Sequence, residues 1–182
     1  VAITGAVADG KHVIVHGARY DFAREFTSLS ELARQGEALA RVPAHEGRAS
    51  DLAVLQLSGG SHATPKLVPR THDDYLCCVR ESAALCGLSE STRYLAVLPM
   101  SHNFTLSSPG VLGTLHAGGN VVTSAQPSPE AVLGLLLNEG ITLTSALPSM
   151  VRAWLEARSH AARAVELSHV TVQVGGAKLE RA

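Results

Sequence analysis

The feature that most constrains this chain is an alternation of short apolar runs with longer stretches at helical spacing. From Asp51 onward, Ala53–Leu57, Arg93–Leu98, Asn120–Thr123, Ile141–Leu147 and Val170–Val174 read as strands, the first of them buried. Between them Thr71–Cys86, Pro109–Ala117, Ser128–Glu139 and Pro148–His160 read as helices. Ser128 stands as an N-cap with Pro129 at the first helical position, where a missing N–H costs nothing. Tyr75, Val79, Ala83 and Cys86 fall near one face of the first helix. Strands alternating with helices build βαβ units with right-handed crossovers. The fold class expected is α/β, a mostly parallel β-sheet flanked by helices. In such folds the loops at the carboxyl ends of the strands carry the ligand site.

Composition agrees. Hydrophobic residues make up 46% of the 182 residues and aromatic ones only 4%. That is the small-aliphatic core that buried parallel sheets favour, and it excludes a disordered chain. The net charge of −1 carries no footprint for nucleic acid or an anionic membrane. No apolar run is long enough to span a bilayer. Cys77, Cys78 and Cys86 form neither an even set nor a CxxC pair. They read as buried thiols on one helix and fit a reducing, cytoplasmic compartment.

Residues 1–50 follow a different pattern. Val1–Thr4 and His12–His16 read as short strands around the Ala8–Lys11 turn. Ser28–Ala40 reads as a helix with Ser30 as N-cap, and Arg41–Ser50, with Pro43 and Gly47, as a linker. The organisation expected is thus an upstream segment, 1–50, and a βαβ subdomain, 51–182. The chain opens on Val1 and stops at Ala182 shortly after a Gly-Gly turn, and both ends read as cuts.

Three loops have the right address for chemistry. Ser58–Lys66 follows a strand and is taken to precede a helix. Its glycines turn N–H groups toward an anion, Ser58, Ser61 and Thr64 add hydroxyls, and Lys66 adds a charge, a set suited to a polyphosphate. It is not a Walker A loop, and a flexible connector explains the same residues. The second, Leu98–Phe104 continuing to Gly110, sets His102, Asn103, Phe104, Ser107 and Ser108 at a strand end. Its polar groups and apolar wall suit a small aromatic acid, and a polar loop capping the next helix is the plainer reading. The third, Gly175-Gly176-Ala177-Lys178, lets a flat ligand approach the backbone, or is an ordinary strand-to-helix turn. His12 and His16 lie about 13 Å apart on a strand, at ~3.3 Å per residue, too far for one metal ion. Asp73 and Asp74 favour the dipole of a first helical turn rather than a metal. Trp154 reads as a packing residue and Lys178 as exposed. No metal-ligating set emerges.

In order along the chain, LSGGSHATPKLVPRTHDDY (57–75), SHNFTLSSPGVLGTLHAGGNVV (101–122), ITLTSALPSMVRAWL (141–155) and VQVGGAKL (172–179) resemble the adenylate-forming enzymes. Within these they most resemble the aryl-acid AMP ligases that activate 2,3-dihydroxybenzoate or salicylate for siderophore and nonribosomal peptide assembly. The resemblance covers residues from about Asp51 to Leu179. It implies ATP and Mg²⁺, an aryl acid substrate, and an aryl carrier protein bearing phosphopantetheine. It implies that Ser58, Gly59, Gly60, Ser61, His62, Thr64 and Lys66 lie on the loop holding the β- and γ-phosphates. Asn103 matches the residue that orients the acid, and Phe104 the aromatic packed on its ring, usually Tyr in dihydroxybenzoate enzymes. Ser108 matches the serine meeting the ring hydroxyl, and His102 a side chain beside the carboxylate. Gly175, Gly176 and Ala177 match the strand end lining aryl ring and adenine. His62 and Ala63 depart from the family's usual threonine and glycine. The family's ribose-binding Asp and catalytic lysine have no match here, so this chain alone is expected not to adenylate. The alternative is an inactive module of the same fold used for binding or scaffolding.

Overall fold

A computed structural model describes residues 14–15, 27–28, 34–36, 46–57, 66–124, 128–160 and 166–178. The chain forms two compact units, Val1–Glu46 and Gly47–Ala182. In the first, β1 (Ile14–Val15) pairs in parallel with β2 (Thr27–Ser28), and residues 34–36 are helical. Ser28, expected to open a helix, is therefore a strand residue. Val1–Thr4, His12, His16 and Ser30 lie outside the described residues.

The second unit opens with a departure. β3 (Leu52–Leu57) pairs antiparallel with β4 (Leu67–Thr71), Leu55 opposite Pro69 and Leu57 opposite Leu67. The expected buried strand is instead one arm of a two-stranded sheet, and Leu55 and Leu57 are 50% and 69% exposed. Pro69 hid β4 from view, since proline has no ladder donor and is tolerated only where no partner strand needs one. Gln56 and Arg70 face the other way, toward α1 (His72–Leu85). Thr71 caps α1 by accepting the Asp74 N–H, and the Ala49 and Asp51 carbonyls take the N–H groups of Asp73 and His72. Tyr75, Val79 and Ala83 form its buried stripe. Cys77, Cys78 and Cys86, expected inside, are exposed. The first two fall off the stripe, and Cys86 is the C-cap, past the last helical residue.

The rest is the expected α/β layer structure. β5 (Arg93–Ala96) leads through α2 (Asn103–Ser107) and α3 (Gly110–His116) to β6 (Asn120–Thr123). Then come α4 (Pro129–Asn138), β7 (Leu143–Ala146), α5 (Pro148–Ser159) and β8 (Thr171–Val174). These four strands form one parallel sheet in the order β6-β5-β7-β8. Successive side chains on a strand point to opposite faces, so a sheet covered on both sides needs continuous apolar strands. Leu95 and Ala146 pack with Val132, Leu133, Leu136 and Trp154 of α4 and α5. Tyr94, Ala96 and Leu143 pack on the other face with Leu88, Val111 and Val121. Polar residues in these strands are satisfied internally, as where the buried Thr144 hydroxyl donates to the Leu95 carbonyl at 2.8 Å. β5 and β7 end earlier than expected, at Ala96 and Ala146 rather than Leu98 and Leu147. The connections leaving them go to opposite faces, and ligands of open α/β sheets bind where the chain divides in this way.

Candidate functional site

The chain leaving β5 forms one short helix instead of the expected polar loop. His102 is extended (φ −84°, ψ 136°), and its Nδ1 accepts the Phe104 N–H at 3.2 Å. That bond starts α2 and commits the Nδ1 lone pair, so a neutral imidazole carries its proton on Nε2. His102 itself is exposed.

Asn103 is the most constrained polar side chain of the site. Its Oδ1 accepts from the Tyr75 phenol at 3.1 Å and from Ser107 Oγ at 3.0 Å. Its Nδ2 faces Ser108 Oγ at 3.5 Å. Tyr75 in turn accepts from Gln56 Nε2 at 3.1 Å. On the far side, the Ser108 carbonyl accepts from Gln173 Nε2 at 2.8 Å. Gln173 Oε1 accepts from Ser145 Oγ, which accepts from the Tyr94 phenol, both at 3.1 Å. Burial pushes the Tyr94 phenol up, so it stays a donor at neutral pH. The two chains of hydrogen bonds grip α2 and Ser108 from β3 and α1 on one side and from the parallel sheet on the other.

Phe104 completes the site from the next position. Its ring lies against Gly175, where a Cβ would stand 3.0 Å from Phe104 Cζ. Gly176 has φ +84°, and a Cβ there would meet Leu147 Cδ2 at 2.7 Å. The end of β8 is thus bare backbone facing an aromatic ring. Of the residues that the family resemblance groups about the aryl acid, the structure sets Asn103 beside Ser108 and Phe104 beside Gly175. Ala177 and Lys178 are exposed on the turn after Gly176. Lys66 is exposed just before β4, while Ser58, Gly59, Gly60, Ser61, His62 and Thr64 lie outside the described residues. The segment 58–66 joins β3 to β4 rather than a strand to a helix. The element that follows it among the described residues is β4, so its glycines, hydroxyls and Lys66 are the groups it offers an anion.

Arg70 bonds Asp74 through Nε to Oδ2 and through Nη2 to Oδ1, and also reaches Cys78 Sγ at 3.0 Å. The guanidinium holds the Asp74 carboxyl below its usual range. The Thr71 hydroxyl and the Asp74 N–H do the same for Asp73. Both acids serve the start of α1, as their positions suggest. Among the described residues no three His, Cys, Asp or Glu gather to hold a metal ion.

Sequence reasoning passed over Gln56, Tyr75 as a polar group, Tyr94, Ser145 and Gln173. A signal existed. Gln56 interrupts LAVLQL and Gln173 interrupts TVQV, and a glutamine on an apolar strand needs a partner. A tyrosine on a buried helical stripe likewise needs one for its hydroxyl.

Comparison with known proteins gives this arrangement relatives. The family model described as AMP-binding enzyme matches residues 3–182. The 2,3-dihydroxybenzoate-AMP ligase of Bacillus subtilis is 47% identical over 169 residues, 92% of this chain and 29% of that protein. Enterobactin synthase component E of Escherichia coli is 42% identical over 132 residues, 72% of this chain and 25% of that one. The apo structure of MbtA from Mycobacterium smegmatis superposes with a TM-score of 0.76 at 38% identity, covering 93% of this chain and 29% of that one. The chain spans less than a third of the length of the relatives it matches.

Proposed function

The chain belongs to the AMP-binding enzyme family, and on that premise we propose that it forms part of an aryl-acid AMP ligase. The observation that carries the reading is the Asn103 amide facing the Ser108 hydroxyl while the adjacent Phe104 ring lies against Gly175. An apolar ring against bare backbone, flanked by an amide and a hydroxyl, suits a flat acid with a polar ortho group. Phe104 packs on the ring of 2,3-dihydroxybenzoate, salicylate or a related acid. Ser108 meets its ring oxygen, Asn103 orients it, and exposed His102 stands beside its carboxylate.

ATP and the acid react by displacement. A carboxylate oxygen bonds to the α-phosphorus, the bond to the β-phosphate bridge breaks, and pyrophosphate leaves. The product is an aryl-adenylate. A carrier-protein phosphopantetheine thiol then attacks the carbonyl, giving a thioester and releasing AMP and the thiol proton. These residues contribute by holding the acid in line, which is where such reactions gain most of their rate. The 58–66 segment would supply the anion-binding groups for ATP, and Mg²⁺ brought with the nucleotide would offset the charge of its phosphates. No helix of the described residues is long and apolar enough to cross a membrane.

The test is pyrophosphate exchange into ATP by the protein as its gene encodes it, with single acids supplied in turn. Exchange with 2,3-dihydroxybenzoate or salicylate, and none with an aliphatic acid of similar size, is the expected result. A second reading, an inactive module of the same fold, is favoured by His62 and Ala63. It predicts exchange only after His62→Thr with Ala63→Gly.

A further inference from the structure

We infer that Tyr75, itself held by Gln56, is a positioning residue that fixes which way the Asn103 amide faces. The inference rests on the reading of Asn103 as the group that orients the acid.

A side-chain amide has one accepting and one donating end, and a half-turn about its last bond exchanges them. Either end fits the same space, so only the neighbours choose. Gln56 Nε2 donates to the Tyr75 oxygen at 3.1 Å. The phenol hydrogen must then go elsewhere, and Tyr75 is only 4% exposed. The acceptor within reach is Asn103 Oδ1 at 3.1 Å. Ser107 Oγ donates to that same oxygen at 3.0 Å. Two donors converging on Oδ1 leave Nδ2 turned toward Ser108. Nδ2 makes one long bond there, at 3.5 Å, and so has donor capacity to spare. The site therefore presents hydrogen to an acceptor atom, which a carboxylate or a phenolic oxygen supplies. The relay crosses three elements: the strand β3, the helix α1 and the helix α2. It ties the orientation of a substrate group to β3 through the tyrosine of α1's buried stripe.

Tyr75→Phe keeps the ring and removes only the hydroxyl. The experiment compares wild type, Tyr75→Phe, Asn103→Ala and the double variant in salicylate-dependent pyrophosphate exchange by the full gene product. Tyr75→Phe is expected to raise KM for salicylate about three- to tenfold, the scale of one lost hydrogen bond, with KM for ATP unchanged. The double variant is expected to match Asn103→Ala, because the hydroxyl acts only through that amide. Gln56→Leu is expected to shift the salicylate KM in the same direction, and it serves should Tyr75→Phe fold poorly. An unchanged salicylate KM in Tyr75→Phe, or losses that multiply in the double variant, would overturn the relay. If Asn103→Ala itself leaves KM for salicylate unmoved, the reading of the site fails. The crystal structure of Tyr75→Phe still decides the relay in that event. An Asn103 amide that turns or loses a single orientation supports it, and one unmoved from its present hydrogen bond to Ser107 contradicts it.

Discussion

Thr105 shows how single atoms in this site differ from their neighbours. It lies on α2 with no exposed surface, and its Oγ1 is the buried side-chain oxygen without a hydrogen-bond partner among the described residues. A buried hydroxyl left unpaired costs about 1–3 kcal/mol. Thr105→Val has the same shape and no hydroxyl, so it is expected to raise stability by about 1 kcal/mol, read as a higher denaturation midpoint at unchanged m-value. Gly175 makes the opposite case. A methyl there would press on the Phe104 ring, so Gly175→Ala is expected to weaken aryl-acid binding several-fold, on the order of 1 kcal/mol, while the melting temperature changes little. Asp74 gives a pH dependence. Arg70 lowers its carboxyl from an ordinary 3.8. A group depressed in the folded state contributes fully above its unfolded value and loses that contribution as pH falls through the folded one. The stability difference between wild type and Asp74→Asn is therefore expected to narrow below about pH 4, and acid denaturation of the two proteins side by side reads it.

At the scale of elements, the chain's own punctuation fixed most of the layer structure in advance. Asn120–Thr123 is a strand over its full expected length. Ser128, Pro129 and Glu130 open α4 as cap, first residue and first-turn acid, with the Ser128 hydroxyl accepting the Ala131 N–H at 3.3 Å. Ser128→Ala is expected to cost about 1 kcal/mol, visible in thermal denaturation, and Ser128→Asp to restore it. Two elements of the second unit escaped for physical reasons. β4 carries Pro69 in mid-strand, which argues against a ladder unless the partner residue needs no donor there. α2 is a single turn held by the His102 ring and by tertiary hydrogen bonds, and five residues give no period to read. The candidate site was legible only through the family resemblance, which singled out Asn103, Phe104, Ser108 and the Gly175-Gly176 pair. What holds those residues was not legible, because Gln56, Tyr75 and Gln173 come from distant parts of the chain and meet only in the fold.

For the molecule as a whole, the parallel sheet is the rigid base on which the site stands. Leu95, with no exposed surface, sits where β5 meets α4 and α5. Trp154, 5% exposed, closes the same cluster from α5. Phe or Trp to Ala in such a core costs about 3–5 kcal/mol, so Trp154→Ala is expected to lose most of the cooperative unfolding transition. The site, in contrast, hangs on polar chains that reach the sheet at Tyr94, Ser145 and Gln173.

The central claim is that Asn103 orients an aryl acid. The measurement that tests it most directly is the KM for salicylate and for ATP, taken by pyrophosphate exchange, of Asn103→Ala beside wild type. The account predicts a salicylate KM raised by about tenfold or more, the loss of a hydrogen bond to a charged group, with the ATP KM unchanged. Equal salicylate KM values in the two proteins, or a rise confined to ATP, would contradict it.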